Sequence, residues 1–291
     1  MYDASEIAFP GLGIGEFTVN RVAFKLFGRE VAWYGLIIAI GMIAAVAYVM
    51  YRTKEYVGIN ADDVIDFTLF VIIFGVIGAR LYYVLTSDYD YTFLEAFEIW
   101  NGGLAIYGGI IGGGLAALGV CYVKKIRPQC FFDMLAPGVM IAQAIGRWGN
   151  FCNGEAYGSE TTLPWGMKLS HVYSSGYTKE IGIVHPTFLY ESLWNLLGFI
   201  LINLLYRKRK FDGQIILTYF AWYGFGRMFI EGLRTDSLYV GPFRISQVVG
   251  LLSCLAAVIC IVVFWNKGKI YDSASLKDEI KNTENTNEKE D

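Results

Sequence analysis

The chain has 291 residues, of which 55% are hydrophobic and only 18% charged, and its formal net charge is -3. Soluble domains carry about a quarter charged residues, so the composition excludes an ordinary water-soluble globule, and the mild acidity gives no electrostatic basis for a nucleic-acid partner. Several apolar runs approach or exceed the roughly 20 residues that cross a hydrocarbon core, which predicts an all-α integral membrane protein.

The first long apolar run begins near Val31, is about as long as a full span and is followed by no small-residue cleavage site, so it reads as an anchor and not as a signal peptide. Hydropathy predicts about seven transmembrane helices, over 32–51, 64–85, 103–123, 130–146, 188–206, 214–232 and 245–265. The fourth is the weakest, because it holds Asp133, Pro137 and Gln143, and it is expected to be broken or tilted. Residues 1–266 form one polytopic domain, and 267–291 a polar, aromatic-poor tail expected to be disordered.

Basic residues in short loops set orientation. Arg52 and Lys54 follow the first span, Lys124, Lys125 and Arg127 the third, Arg207 to Lys210 the fifth, and Lys267 and Lys269 the seventh. The loop after the second span is acidic, with Asp88, Asp90, Glu95 and Glu98. The N-terminus is therefore expected outside and the C-terminus in the cytoplasm, although Arg21, Lys25 and Arg29 run against the rule. The long connection at about 147–187 then lies on the outer face.

"GGLAIYGGIIGGG", Gly102 to Gly114, spaces glycines four apart, a pattern that admits a second helix or a lipid close to the backbone, with plain helix packing the leading reading. Five cysteines follow no metal spacing; Cys121, Cys254 and Cys260 sit in apolar runs, and no disulfide framework can be inferred.

Ionisable residues inside spans are functional candidates by default. In the sixth span, "YGFGRMFIEGLRTD" puts Tyr223, Arg227, Glu231 and Arg234 on one helix face. Arg227 lies roughly 20 Å along that helix from Gln214, and Arg147 roughly 27 Å from Gln129, which brings both towards the outer surface. Guanidinium forks at headgroup depth suit phosphate oxygens and stay protonated at any working pH. The alternative is an Arg227–Glu231 structural pair with Arg147 snorkelling. Asn150, Asn153 and Glu155 beside Arg147 in "GRWGNFCNGEAYG", residues 146–158, favour the phosphate reading, and its glycines are expected to turn backbone amides towards an anion. In "HPTFLYESLWN", His185, Tyr190 and Glu191 read as a helix start with an interfacial anchor, His171 as a solvated loop residue, and "AWYG" at 32–35 as an outer aromatic belt. With two histidines, no metal spacing, no P-loop and no Gly-x-Ser-x-Gly elbow, no metal or other cofactor is expected.

"GRWGNFCNGEAYG" resembles the signature of the bacterial prolipoprotein diacylglyceryl transferases, supported by "WYG" at 33–35, "NGGLAIYGG" at 101–109, "HPTFLYE" at 185–191 and "YGFGRMFIEGLR" at 223–234. The long motif is specific and the others individually weak; together they run from the first span through the sixth. The resemblance implies transfer of a diacylglyceryl group from phosphatidylglycerol to the thiol of the lipobox cysteine following a preprolipoprotein's signal peptide. A thioether forms and glycerol phosphate leaves, at the outer side of the bacterial cytoplasmic membrane and without a cofactor. It further implies catalytic roles for Arg147, Arg227, Tyr107 and Glu231 and substrate binding by Arg147, Asn150, Asn153, Glu155, Gly158, Tyr34 and Arg234. Many members carry histidine where this chain has Tyr107. A phenol with a reference pKa near 10 is a poor base, so three readings stay open: arginines lower its pKa, Glu155 or another group is the base, or no dedicated base is needed. Two other classes compete. An anion transporter would show an inverted repeat and midplane arginines, and neither is seen; a phospholipid-binding scaffold leaves the dense polar motif without a task.

Overall fold

The computed structural model describes residues 2–55, 59–87, 89, 91–99 and 102–268. Asp88, Asp90, Asn101 and the polar tail beyond 268 lie outside the described residues.

Among the described residues are seven α-helices: α1 (Trp33–Arg52), α2 (Ala61–Thr86), α3 (Ile106–Val123), α4 (Pro128–Asn153), α5 (Thr187–Tyr206), α6 (Gln214–Leu233) and α7 (Ile245–Phe264). Five of them, α1, α2, α3, α5 and α7, are long and apolar enough to cross a membrane. They leave large apolar side chains uncovered, Leu69 and Ile77 on α2 and Leu252, Ile259 and Val262 on α7 among them. Such continuous apolar surface belongs against lipid, not water, and the chain is a multi-pass membrane protein. The expected break in the fourth span does not occur: α4 is a continuous helix with Pro137 inside it, and it runs on to Asn153. Arg147 and Asn150 therefore stand on helix and not in a loop.

The all-α expectation is corrected by eight short strands. Strands β1 (Ala4–Phe9), β2 (Ile14–Asn20), β5 (Met167–Val172) and β6 (Thr178–Val184) form a four-stranded sheet in the order β2-β1-β5-β6, all neighbours antiparallel. Two hairpins, β3 (Val22–Leu26) with β4 (Arg29–Ala32) and β7 (Tyr239–Val240) with β8 (Phe243–Arg244), complete the set. The strands are four to seven residues or shorter, so a hydropathy window sized for a membrane span averages them away. Ile7, Met167, Leu169, Val184 and Phe188 form the sheet's buried core, with Phe151 and Leu189 packed against it. That core ties the end of α4 and the start of α5 to the sheet.

The described residues form two compact units, one over 2–45 and 135–268 and the other over 46–134. In the second unit, the glycines of α3 pack on those of α2: a Cβ on Gly112 would lie 3.1 Å from the Cα of Gly78, and a Cβ on Gly108 would overlap the Gly78 carbonyl. The partner admitted by the glycine spacing is thus another helix. Arg80 is buried at the end of α2, where its guanidinium donates to the carbonyls of Glu95 at 2.6 Å, Ala96 at 2.9 Å, Gly102 at 2.8 Å and Gly103 at 3.2 Å.

In the first unit, α1 runs antiparallel along α4, with Gly41 against the Ala142 carbonyl, Ile38 against Gly146 and Tyr34 against Gly149. Helices α5 and α6 are locked by Trp194 and Trp222, stacked at 4.2 Å, each indole Nε1 donating at 3.0 Å to the other's backbone carbonyl. Gly226 makes room for Trp194, because a Cβ there would overlap the indole. Gly226→Ala is expected to destabilise the protein by about 1–3 kcal/mol through overpacking. Gly114→Ala, where a Cβ meets nothing within 4 Å, is expected to be neutral or stabilising. Thermal unfolding of the two variants in detergent checks the contrast.

Candidate active site

The site is built where α4 ends, α5 begins and α6 ends. Antiparallel packing of α4 on α5 is fixed by Ser192, whose hydroxyl donates to the Ala144 carbonyl at 2.8 Å and accepts from Trp148 Nε1 at 3.2 Å. This register brings Glu191, one residue back, against Arg147, Nη2 to Oε2 at 2.6 Å. On the other side, Arg227 Nη1 reaches Glu191 Oε1 at 2.8 Å and its Nη2 reaches Glu231 Oε2 at 2.5 Å. Arg234 Nη1 adds a longer contact to Glu191 Oε1 at 3.5 Å. One carboxylate thus touches three guanidiniums. Its side chain is only 4% exposed, and that of Glu231 3%.

A hydrogen-bonded relay fixes Arg147 from the motif's side. Arg147 Nη1 donates to Asn150 Oδ1 at 3.3 Å, and Asn150 Nδ2 donates to Glu155 Oε1 at 3.0 Å. Arg234, beyond α6, forms a bidentate pair with Asp236 at 2.9 and 2.8 Å. Burial pushes the Asp236 carboxyl up, yet the Arg234 fork outweighs it and holds the group below the usual carboxylate range. Three cationic side chains, Arg147, Arg227 and Arg234, thus face three carboxylates, Glu191, Glu231 and Asp236, and their formal charges balance.

Arg147, Asn150, Glu155, Arg227, Glu231 and Arg234 are brought into this one network. Tyr34 packs across Gly149. Gly158 is a close-approach point whose N–H donates to the His185 carbonyl at 3.0 Å and whose Cβ, if present, would lie 2.7 Å from His185 Cβ. Asn153 is not part of the network: its backbone carbonyl accepts from Tyr2 at 2.5 Å, and among the described residues its side-chain oxygen has no hydrogen-bond partner. Tyr107 stands on the first turn of α3, in the second unit.

Three expectations change. Glu191 is the centre of the cluster, not a feature of a helix start; the one sequence signal was a glutamate four residues from Asn195 in an otherwise apolar span. The motif's glycines do not free amides for an anion. Gly146 and Gly149 lie inside α4, and the N–H groups of Gly154, Glu155 and Gly158 donate to Phe151, Asn150 and His185. Gly154 (φ +62°) is needed because the chain turns there directly onto Ser5 and His171 of the sheet. Lastly, His171 is a strand residue only 7% exposed, stacked on Tyr2 at 3.8 Å, with Nε2–H donating to the Gly154 carbonyl at 2.9 Å. Burial pushes its pKa below the usual value, with Lys179 and Arg21 acting in the same direction, although the Gly154 bond opposes them.

A polytopic membrane protein with a buried cluster of arginines and carboxylates where α4, α5 and α6 meet is thereby defined. The family model described as prolipoprotein diacylglyceryl transferase matches residues 21–263, and the chain belongs to that family. Proteins named phosphatidylglycerol-prolipoprotein diacylglyceryl transferase are similar along most of their length. That of Clostridioides difficile is 44% identical over 254 residues, covering 86% of this chain and 98% of its own. That of Enterococcus faecalis is 46% identical over 255 residues, covering 84% and 90%. That of Streptococcus mutans is 44% identical over 254 residues, covering 84% and 95%.

Breaking a buried ion pair from one side leaves uncompensated charge and costs about 3–5 kcal/mol. Glu191→Gln is therefore expected to lower stability by about that amount, and Glu231→Gln by less, because Arg227 keeps Glu191; denaturant unfolding in detergent measures both. The depressed pKa of His171 makes the unfolded state bind more protons below the ordinary value of 6.5. Its contribution is therefore complete above that pH and lost as pH falls through the lower folded-state value. Thermal midpoints of wild type and His171→Gln should converge on acidification, and parallel curves would contradict this.

Proposed function

We propose that the chain transfers the diacylglyceryl group of phosphatidylglycerol to the thiol of a preprolipoprotein's lipobox cysteine, just after the signal peptide, at the outer face of a bacterial cytoplasmic membrane. The observation that carries the reading is the pair of guanidinium forks, Arg147 and Arg227, that share the buried carboxylate of Glu191, with Glu231 holding Arg227 from its own helix. A phosphodiester headgroup is an anion whose oxygens suit such forks. The relatives' names give the same donor and acceptor.

The chemistry follows from those forks. Thiolate sulfur attacks the glyceryl carbon bonded to the phosphate oxygen, a C–S bond forms, and the C–O bond breaks with its electron pair going to glycerol phosphate. The leaving group gains one negative charge as it departs, and fixed guanidiniums stabilise that development without reorganising. Glu191 and Glu231 hold the forks in place, and the Asn150–Glu155 relay orients Arg147. Arg234 adds field from the rim, and Tyr34, Asn153 and Gly158 shape the headgroup site. Tyr107 is carried as a catalytic candidate by the family resemblance alone; a free thiol is only a few per cent ionised at neutral pH, and its proton goes to Tyr107, to Glu155 or another group, or to no dedicated base.

Strand pairing supports the topology. Paired strands lie on one side of the bilayer, so the chain between β1 and β5 crosses an even number of times. With α1, α2 and α3 crossing, α4 crosses as well. Likewise, Gly158 pairs with Arg234, so α6 crosses together with α5. With α7 this supports seven crossings, and the positive-inside bias favours the outer face for the sheet and the site.

The test uses purified protein in detergent with phosphatidylglycerol and a synthetic lipobox peptide, following peptide mass and released glycerol phosphate. Wild type is expected to add one diacylglyceryl group. Arg147→Ala and Arg227→Ala should each lose at least about a hundredfold in turnover while staying folded, and Tyr107→Phe should be slower, with an unchanged rate removing that hydroxyl from the mechanism. A wild-type protein that leaves the peptide unmodified would overturn the assignment.

A further inference from the structure

Directly inward of the arginine cluster lies a second polar layer that the reaction as described does not use. Gln143 is four residues before Arg147 on α4, Asn195 four after Glu191 on α5, and Tyr223 four before Arg227 on α6. Residues four apart share a helix face. Helices α4 and α6 rise towards the cluster and α5 descends from it, so all three side chains stand one turn, about 6 Å, deeper.

The helix registers place them at one level. Between α4 and α5, the contacts Arg147–Glu191 and Met140–Gly198 bracket Gln143 and Asn195 symmetrically. Between α5 and α6, the contacts Glu191–Arg227 and Gly198–Trp222 also bracket Asn195 and Tyr223, though less symmetrically, with Tyr223 four residues from Arg227 and one from Trp222. Tyr219, a further turn down α6, closes the layer: it stacks on Tyr223 at 5.8 Å and its hydroxyl accepts from Gln143 Nε2 at 3.1 Å. Asn195 is only 1% exposed, yet its Oδ1 has no partner among the described residues, and neither has the buried Oε1 of Gln143. Two primary amides with unmet hydrogen-bonding capacity in the apolar depth of a bundle are what native structures avoid unless a ligand completes them.

We propose that this layer, Asn195 and Gln143 with the Tyr223 hydroxyl, binds the acyl ester carbonyls of the diacylglyceryl donor; the proposal rests on the transferase reading above. A glycerolipid whose phosphate sits among the arginines carries its esters one glycerol carbon and one linkage deeper, where the layer stands. Ester carbonyls only accept hydrogen bonds. Amide N–H and phenol O–H groups donate them, and a rotated amide turns its N–H₂ to where its oxygen now stands. Neutral donors fit a neutral ester, as the charged forks above fit a phosphate. The site thereby selects the ester linkage itself, and not only the headgroup.

The experiment compares diester phosphatidylglycerol with its dialkyl ether analogue, matched in chain length, in the lipobox-peptide assay, for wild type, Asn195→Leu and Gln143→Leu. Wild type should use the diester with kcat/KM higher by about tenfold, the worth of one or two neutral hydrogen bonds. Each variant should lose rate on the diester, leave the diether rate unchanged and so narrow the preference to about twofold, with KM for the peptide unmoved. Equal use of both lipids by wild type overturns the proposal. So does a variant that slows both lipids by the same factor, as a purely structural role would, or one that keeps the ester preference and raises KM for the peptide instead. If one variant does not fold, the wild-type comparison and the other variant decide. Should wild type process neither lipid, the transferase reading fails and not this subsite alone.

Discussion

Three guanidiniums gathered at one place near the end of a helix bundle repel each other, and a carboxylate that reaches all of them ties the arrangement together, with Glu231 and Asp236 offsetting the rest. Glu191 is that group. Its two oxygens are shared between Arg147 and Arg227, with Arg234 at longer range. Because a buried pair is costly to desolvate and costlier to break, this single side chain constrains the depth of α5 against both α4 and α6. The Ser192 and Trp194–Trp222 contacts on neighbouring turns hold the same registers by other means.

The protein handles buried arginines in two distinct ways, and the difference separates site from scaffold. Arg80 donates to four backbone carbonyls, which tie Glu95, Ala96, Gly102 and Gly103 to the end of α2. Such a guanidinium is committed to the scaffold. Arg147 and Arg227 are held instead by carboxylates that are themselves shared, Glu191 among Arg147, Arg227 and Arg234, and Glu231 between Arg227 and Arg234. Burial of an arginine alone thus says little about function; what its nitrogens are committed to says more.

The seven helices were legible because apolar runs of span length leave few alternatives, and the predicted boundaries fall close to the observed ones except at α4. There the helix continues through the polar motif, since Trp148, Phe151 and the small Gly149 still have helix and sheet surfaces to pack on. The sheet was not legible, because its strands are too short for a hydropathy window and its central pair joins residues far apart in the chain. Arg147, Arg227 and Glu231 could be read from helical spacing. Glu191 could not, because its partners lie on two other helices and spacing within one helix says nothing about them. His171 was misplaced for the same reason: its burial is supplied by Tyr2 and Gly154, neither of them near it in sequence.

The pairing of β1 with β5 also dictates an order of assembly. The first strand is synthesised at the beginning of the chain, yet its neighbour in the sheet is residues 167–172, four helices later. Non-local pairings of this kind incur loop-closure entropy before they return any stability. Residues 4–9 can meet β5 along that edge only once the chain through α1 to α4 has been made. Only then does the strand close over Gly154 and fix the end of the helix that carries Arg147. The earlier strand thus completes its surroundings only after a stretch four helices later has been made, and until then the end of α4 lacks the sheet core on which Phe151 packs.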